Sequence, residues 1–284
     1  MTSSRRVGGL SMNPIGLGAM PLSVPGHPGA DRSRATVHAA LDAGVTLIDT
    51  ADAYTPDGVL GHNERVVAEA VRSYGGSADL LVATKGGHTR DGEDWGLDGR
   101  PEYLRRACEA SLRALGVDSI GLYQHHRPDP EIPYADTMGA LAALLEAGLV
   151  ERVGISNADP DQIREAHSIL GDGLVSVQNE LSPRFRTSLP ELELCTELGL
   201  AFLPWSPLGG AREAAELGST HSAFATVADR HGVSAQQVCL AWLLALSPVC
   251  LPIPGSSRPE SVRDSAAAAD LRLSDEEISE LSAT

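Results

Sequence analysis

The chain has 284 residues, 42% of them hydrophobic, which is enough to bury a full core and suggests two domains at most. A formal net charge of −16 and a pI near 4.9 argue against a nucleic-acid or anionic-membrane partner. The four cysteines, Cys108, Cys195, Cys239 and Cys250, are far apart and form no CxxC pair, so neither a disulfide framework nor a zinc site is expected. Met1 to Gly9 carries Arg5 and Arg6 without an apolar stretch behind them, unlike a signal peptide. No apolar run approaches the roughly 18–20 residues of a membrane span. A cytoplasmic protein is the expectation.

In chain order, Arg5 to Ser11 reads as a short hairpin. Strand-like runs then follow at Ile15–Leu17, Val45–Asp49, Leu80–Lys85, Ile120–His126, Val153–Asn157, Val175–Asn179, Leu200–Trp205 and Val249–Ile253. Between them lie helical patterns at Arg34–Asp42, Glu64–Arg72, Glu102–Leu115, Thr137–Ala147, Pro160–Leu170, Pro190–Leu198 and Ala235–Leu246. Prolines 101, 160 and 190 fall near helix starts and glycines 44, 116, 148, 171 and 199 just past helix ends, the usual asymmetry. Eight strands alternating with helices describe a (β/α)8 TIM barrel, one domain over 1–284, with the N-terminal hairpin closing its floor. A doubly wound nucleotide-binding sheet is the rival. Its GxGxxG fingerprint fails here, because Gly16-Leu17-Gly18-Ala19-Met20-Pro21 puts proline at the third glycine.

Barrel active sites sit at the C-terminal ends of the strands. The second strand leads into Asp49-Thr50-Ala51-Asp52-Ala53-Tyr54, the third ends at Lys85, and the fourth ends Gln124-His125-His126-Arg127-Pro128. Lys85 is the single lysine among 22 basic residues; the other 21 are arginine. Where a generic cation suffices the sequence uses the planar guanidinium, so the compact ammonium at the end of a buried strand marks a specific need. Burying it demands a partner. Strand alternation lets only one of His125 and His126 face the mouth, and periodicity leaves open which.

These motifs, Asp-Thr-Ala-Asp-Ala-Tyr, Ala-Thr-Lys-Gly-Gly and Leu-Tyr-Gln-His-His-Arg-Pro-Asp, resemble those of the aldo-keto reductase family, and the resemblance runs over nearly the whole chain. It implies a catalytic tetrad of Asp49, Tyr54, Lys85 and His126, the last selected because the family's histidine directly precedes Arg-Pro or a similar pair. The implied activity is NADPH-dependent reduction of an aldehyde or ketone to an alcohol. Tyr54 would donate the proton, with Lys85 lowering its pKa, Asp49 holding Lys85, and His126 orienting the carbonyl. A nicotinamide would supply the hydride, since none of the four residues can.

The resemblance also implies a cradle for that cofactor. Ser156, Asn157 and Gln178 would hold the carboxamide, Trp205 would stack on the ring, and Ser206, Pro207, Leu208 and Gly209 would approach the pyrophosphate. After the eighth strand, Gly255, Ser256 and Arg258 would meet the 2′-phosphate. Lys, Arg and Asn stand in some relatives at the positions of Gly255, Ser261 and Ser265; their loss leaves Arg258 as the main anchor, with NADPH expected and NADH possible. Some relatives close over the substrate with a long tail. Here only three residues follow Leu281, and an open pocket lined by Met20, Trp95 and His125, with Trp205 beside them, is expected. The partner is then a small carbonyl compound, with no metal. Two other readings use the same residues: a regulatory barrel that binds NADPH and turns over slowly, and a lyase or isomerase forming a Schiff base on Lys85.

Overall fold

A computed structural model describes residues 4–75 and 79–283; Met1 to Ser3, where a targeting signal would begin, lie outside the described residues. Strands β1 (Arg5–Val7) and β2 (Leu10–Met12) form the antiparallel hairpin read from the sequence. Then come β3 (Leu17–Gly18), α1 (Ala30–Asp42), β4 (Leu47–Asp49), α2 (His62–Tyr74) and β5 (Leu81–Gly86). A second antiparallel hairpin, β6 (His88–Asp91) and β7 (Asp94–Leu97), follows in a stretch to which the sequence pattern assigns no element. The chain continues through α3 (Pro101–Leu115), β8 (Leu122–His125), α4 (Tyr134–Glu146), β9 (Val153–Ser156), α5 (Pro160–Leu170), β10 (Leu174–Gln178), α6 (Leu189–Leu198) and β11 (Ala201–Phe202). Helices α7 (Ala211–Thr220), α8 (Ser222–His231), α9 (Ala235–Leu246), α10 (Pro259–Ala267) and α11 (Asp275–Ser282) complete it; of these the sequence reading had identified only α9.

Seven strands form one sheet in the order β11-β10-β9-β8-β5-β4-β3, each pair parallel. The eighth position is taken by the segment at 250–255. It bridges Phe202 at one sheet edge through Cys250 and Gly18 at the other through Gly255. Its hydrogen bonds run both ways: Leu251 donates to Phe202, while Gly16 and Gly18 donate to Pro252 and Pro254. Pro252 and Pro254 have no N–H for a ladder, which is why the expected Val249–Ile253 strand closes the barrel without regular strand geometry. Gly18 is required at that seam, since a Cβ there would lie 2.8 Å from the Ile253 carbonyl oxygen.

Below the polar groups at the strand ends the barrel interior is apolar. Leu47, Leu81, Ala83, Leu122, Val175, Ala201, Leu203, Leu251 and Ile253 fill it, and Val7 and Met12 of the first hairpin join them. Arg5 ties that hairpin down by donating to the Cys250 carbonyl at 2.9 Å and the Leu244 carbonyl at 2.7 Å. Outside, the helices cover the strands; α3 turns inward one buried stripe, Leu104, Ala107, Cys108, Ser111 and Leu115, at the three- and four-residue spacing of a helix face. Burying each leucine of this kind contributes about 1.5–3 kcal/mol. Pro160 and the Asp159–Gln162 capping box start α5, and a Ser274–Glu277 box starts α11.

Candidate active site

Three of the expected tetrad meet at the C-terminal mouth. Asp49 ends β4 and Lys85 is the fifth residue of β5, with the two strands paired in parallel register. The Lys85 side chain is fully buried, and its ammonium donates in three directions: to Asp49 Oδ1 at 2.5 Å, the Thr50 carbonyl at 2.9 Å and Tyr54 Oη at 3.2 Å. Asp49 is equally engaged. Its Oδ2 accepts from Gln124 Nε2 at 2.9 Å and Gln178 Nε2 at 2.8 Å, so each oxygen of a carboxylate that is 3% exposed has a donor. A buried ion pair is tolerable only when its remaining hydrogen-bonding capacity is met in this way.

The fourth, His126, sits edge-on to the Tyr54 ring with centroids 5.6 Å apart. Strand alternation settles the choice between the two histidines. Gln124 reaches Asp49 inside the barrel, and His126, two residues on, shares its side. Tyr123 and His125 face outward toward the helices. His125 is completely buried beside Tyr134 of α4, neither ring nitrogen has a partner among the described residues, and it does not line the cavity as expected. Burial, with a smaller contribution from His88, pushes its pKa down to about 4. The Lys-Gly-Gly sequence follows from the same packing: a Cβ at Gly86 would overlap the Tyr123 hydroxyl, and one at Gly87 would lie 3.0 Å from the His125 ring.

The electrostatics differ from the expectation in one respect. Burial raises the Tyr54 pKa, Lys85 opposes this and Asp49 reinforces it, with a net shift upward rather than downward. With its charge largely balanced by the carboxylate at 2.5 Å, Lys85 does not overcome the desolvation of a phenolate. Burial would lower the Lys85 pKa, but Asp49 and Tyr54 outweigh it and the net shift is upward. Burial and the Lys85 charge drive the pKa of His126 well down. At neutral pH the mouth therefore holds a protonated phenol, an ammonium paired with Asp49, and a neutral imidazole.

These groups open on a cavity of about 440 Å³. Asp49, Tyr54 and His126 line it, as do Met20, Trp95, Ser156, Asn157, Gln178, Trp205, Ser206, Pro207, Leu208 and Gly255. Gly209, Ser256 and Arg258 do not: the Ser256 hydroxyl is turned onto the Arg258 backbone, and the Arg258 side chain is exposed at the start of α10. A larger recess, about 670 Å³, lies elsewhere, between residues such as Leu10, Val71 and Gly121, and none of the tetrad reaches it. His88 and Arg127 line the main cavity and were passed over in the sequence, as was Gln124 beneath it. Gln124 was within reach of the alternation rule; His88 lies in a hairpin that periodicity did not reveal.

The rim carries two non-glycine residues with left-handed backbones, Asn157 at φ 58° and Ser206 at φ 46°. Such conformations persist where surrounding contacts enforce them. Around Asn157 they are visible: its amide N–H donates to the Gln178 carbonyl at 3.1 Å, and its side chain donates to the His126 carbonyl and to Ser156 Oγ, each at 3.0 Å. These bonds leave Gln178 Oε1 and Asn157 Oδ1 without a partner among the described residues, and neither atom is sealed off. Both residues line the cavity together with Trp205, so an –NH₂ donor held there would meet acceptors.

Comparison with known proteins is consistent along the whole chain. An uncharacterized oxidoreductase of Schizosaccharomyces pombe is 36% identical over 281 residues, spanning 97% of this chain and 88% of that protein. A probable aldo-keto reductase of Glycine max is 32% identical over 269 residues, 85% of this chain and 76% of its own length. An aldo-keto reductase from Klebsiella pneumoniae, solved in complex with NADPH, superimposes with a TM-score of 0.83 at 28% identity, over 100% of this chain and 95% of that one. The model of the aldo/keto reductase family matches residues 14–284, a span that takes in every strand of the barrel, and the chain belongs to that family.

Proposed function

We propose that the protein reduces an aldehyde or ketone to an alcohol with NADPH, and that Tyr54 is the proton donor. The observation that carries this reading is the placement of Tyr54 Oη, 3.2 Å from a fully buried Lys85 ammonium and on the wall of the cavity. When bound, the nicotinamide would supply a hydride, a proton with two electrons, to the carbonyl carbon. The chain's own residues deal with the oxygen. Tyr54 is protonated at neutral pH, and its raised pKa brings it closer to that of the alkoxide it must protonate. The tyrosinate left behind is met by the Lys85 ammonium, already in place and needing no rearrangement. His126 is neutral, so it helps bind the carbonyl oxygen by donating a hydrogen bond rather than a proton.

Cofactor binding rests on the free acceptors Gln178 Oε1 and Asn157 Oδ1 for the carboxamide, and on Trp205 for the ring. Ser206, Pro207 and Leu208 border the path that leads to Gly255. Beyond it, Arg258 and Arg263 are exposed and make no ion pair among the described residues, leaving both free for a 2′-phosphate near the start of α10. The Schiff-base reading finds no support. Lys85 has no exposed surface, its three donors are committed and its pKa is raised, so it offers no free amine. The test is consumption of NADPH with a panel of aldehydes and ketones, with the alcohol identified. Steady turnover and matching alcohol are expected; tight NADPH binding without turnover on any of them would support the regulatory reading instead.

A further inference from the structure

His88 opens β6 and lies on the wall of the same cavity. Its ring stands edge-on to His126, with centroids 4.3 Å apart, and edge-on to Trp95 at 5.2 Å. Its Nδ1 is 2.9 Å from the Gly96 carbonyl oxygen. A carbonyl can only accept, so Nδ1 carries the ring hydrogen; flipping the ring would forfeit that bond. Burial, helped by the nearby cations Arg127, Lys85 and Arg90, keeps the ring neutral even though the Gly96 contact favours its protonated form. Nε2 is then a bare lone pair. It has no partner among the described residues and is not one of the sealed-off atoms, and the residue that carries it lines the cavity.

The position is held from several sides. Tyr103 Oη donates to the His88 carbonyl at 3.0 Å, His88 pairs with Leu97 across the hairpin, and the Asp98 amide donates to the Gly87 carbonyl at 2.9 Å. The groups around the carbonyl oxygen, Tyr54 Oη and His126, act as donors; Arg127 nearby can only donate. His88 Nε2 is a fixed acceptor next to them. An acceptor that close to His126 is within reach of a hydroxyl on the carbon beside the carbonyl, or on the one after it.

We infer that His88 is a specificity-determining residue whose Nε2 accepts a hydrogen bond from a substrate hydroxyl, so that the enzyme prefers α- and β-hydroxy aldehydes and ketones to their deoxy counterparts. The inference rests on the reduction proposed above. The hydroxyl is present before and after hydride transfer, so the contact acts on substrate affinity more than on the chemical step.

The test uses lactaldehyde and isobutyraldehyde, which differ only in a hydroxyl replaced by a methyl, with NADPH and with concentrations corrected to the free carbonyl form. The wild type is expected to favour lactaldehyde in kcat/KM. His88→Leu should lower the lactaldehyde-to-isobutyraldehyde ratio about two- to twelvefold, mainly through KM, the range for one neutral hydrogen bond. His88→Gln, which can still present an acceptor, should restore part of it. A wild type that prefers isobutyraldehyde, or a ratio unchanged in His88→Leu, overturns the role of His88 while leaving carbonyl reduction intact. Turnover of neither aldehyde, nor of the wider panel, overturns the reduction and this inference with it.

Discussion

Replacing Lys85 tests the tetrad at its centre. Lys85→Met removes the cation from 3.2 Å beside the Tyr54 oxygen and leaves Asp49 buried without a counter-charge. At an effective dielectric constant of about 20, unit charges at that separation interact by about 5 kcal/mol, an upper limit here because Asp49 cancels part of the field. A hydrogen bond to a charged group contributes about 1.5–3 kcal/mol, which sets the lower end. Carbonyl reduction should therefore fall roughly 10- to 5,000-fold. Stability should fall too, by about 3 kcal/mol, the low end for breaking a buried pair, because Gln124 and Gln178 still hold Asp49 Oδ2. The double variant Lys85→Met/Asp49→Asn should regain most of that stability and none of the activity. Lys85→Arg keeps the charge, but a planar fork cannot serve Asp49, the Thr50 carbonyl and Tyr54 as the compact ammonium does, and it should be nearly as inactive as the methionine variant. Urea denaturation and steady-state kinetics read both effects. Near-normal turnover in Lys85→Arg would refute the reasoning, and so would a double variant no more stable than Lys85→Met.

Tyr54→Phe should abolish reduction while changing NADPH affinity little; residual turnover within about tenfold of wild type, worth roughly 1.4 kcal/mol, would remove Tyr54 as proton donor. Arg258→Ala should raise the dissociation constant for NADPH by one to two decades, the equivalent of about 1.5–3 kcal/mol, and leave NADH nearly unchanged; equal losses in fluorescence titrations would mean the 2′-phosphate is read elsewhere. Asp52 is buried, neither of its oxygens has a full hydrogen bond among the described residues, and burial together with the nearby Glu64 holds its pKa well above its ordinary value. The folded state thus keeps a proton that the unfolded chain releases, so this contribution to stability is complete below the ordinary carboxylate pKa and is lost as pH rises through the raised one. Thermal melts should show stability falling with pH over that window, and Asp52→Asn should flatten the slope; a variant with the wild-type slope would contradict it.

Much of this arrangement is legible in the sequence because strands end in chemistry. The runs leading to Asp49, Lys85 and His126 are apolar until their last residues, and a parallel barrel gathers such ends at one mouth. Gln124 could have been placed there by the same logic, two residues before His126. Other parts leave weaker traces. Pro252 and Pro254 disguise the eighth strand, whose closure depends on its neighbours' amides. Gly218 and a run of small polar residues dilute the helical pattern of α7, and α8 begins immediately behind it. His88 sits in a hairpin whose eight paired residues are mostly polar or glycine, so no alternation announces it. The direction of the Tyr54 pKa shift depends on the balance of burial against two opposite charges, and only coordinates supply that balance.

The most direct measurement is the fate of a label. NADPH deuterated at the transferable position of the nicotinamide ring is incubated with the protein and an aldehyde that it consumes, and the alcohol is analysed by mass spectrometry. Direct hydride transfer at the Tyr54–Lys85 mouth predicts one deuterium on the carbinol carbon, and a hydroxyl hydrogen drawn from solvent. An alcohol without the label at carbon, or label that also appears when Tyr54 is phenylalanine at an undiminished rate, would contradict the account.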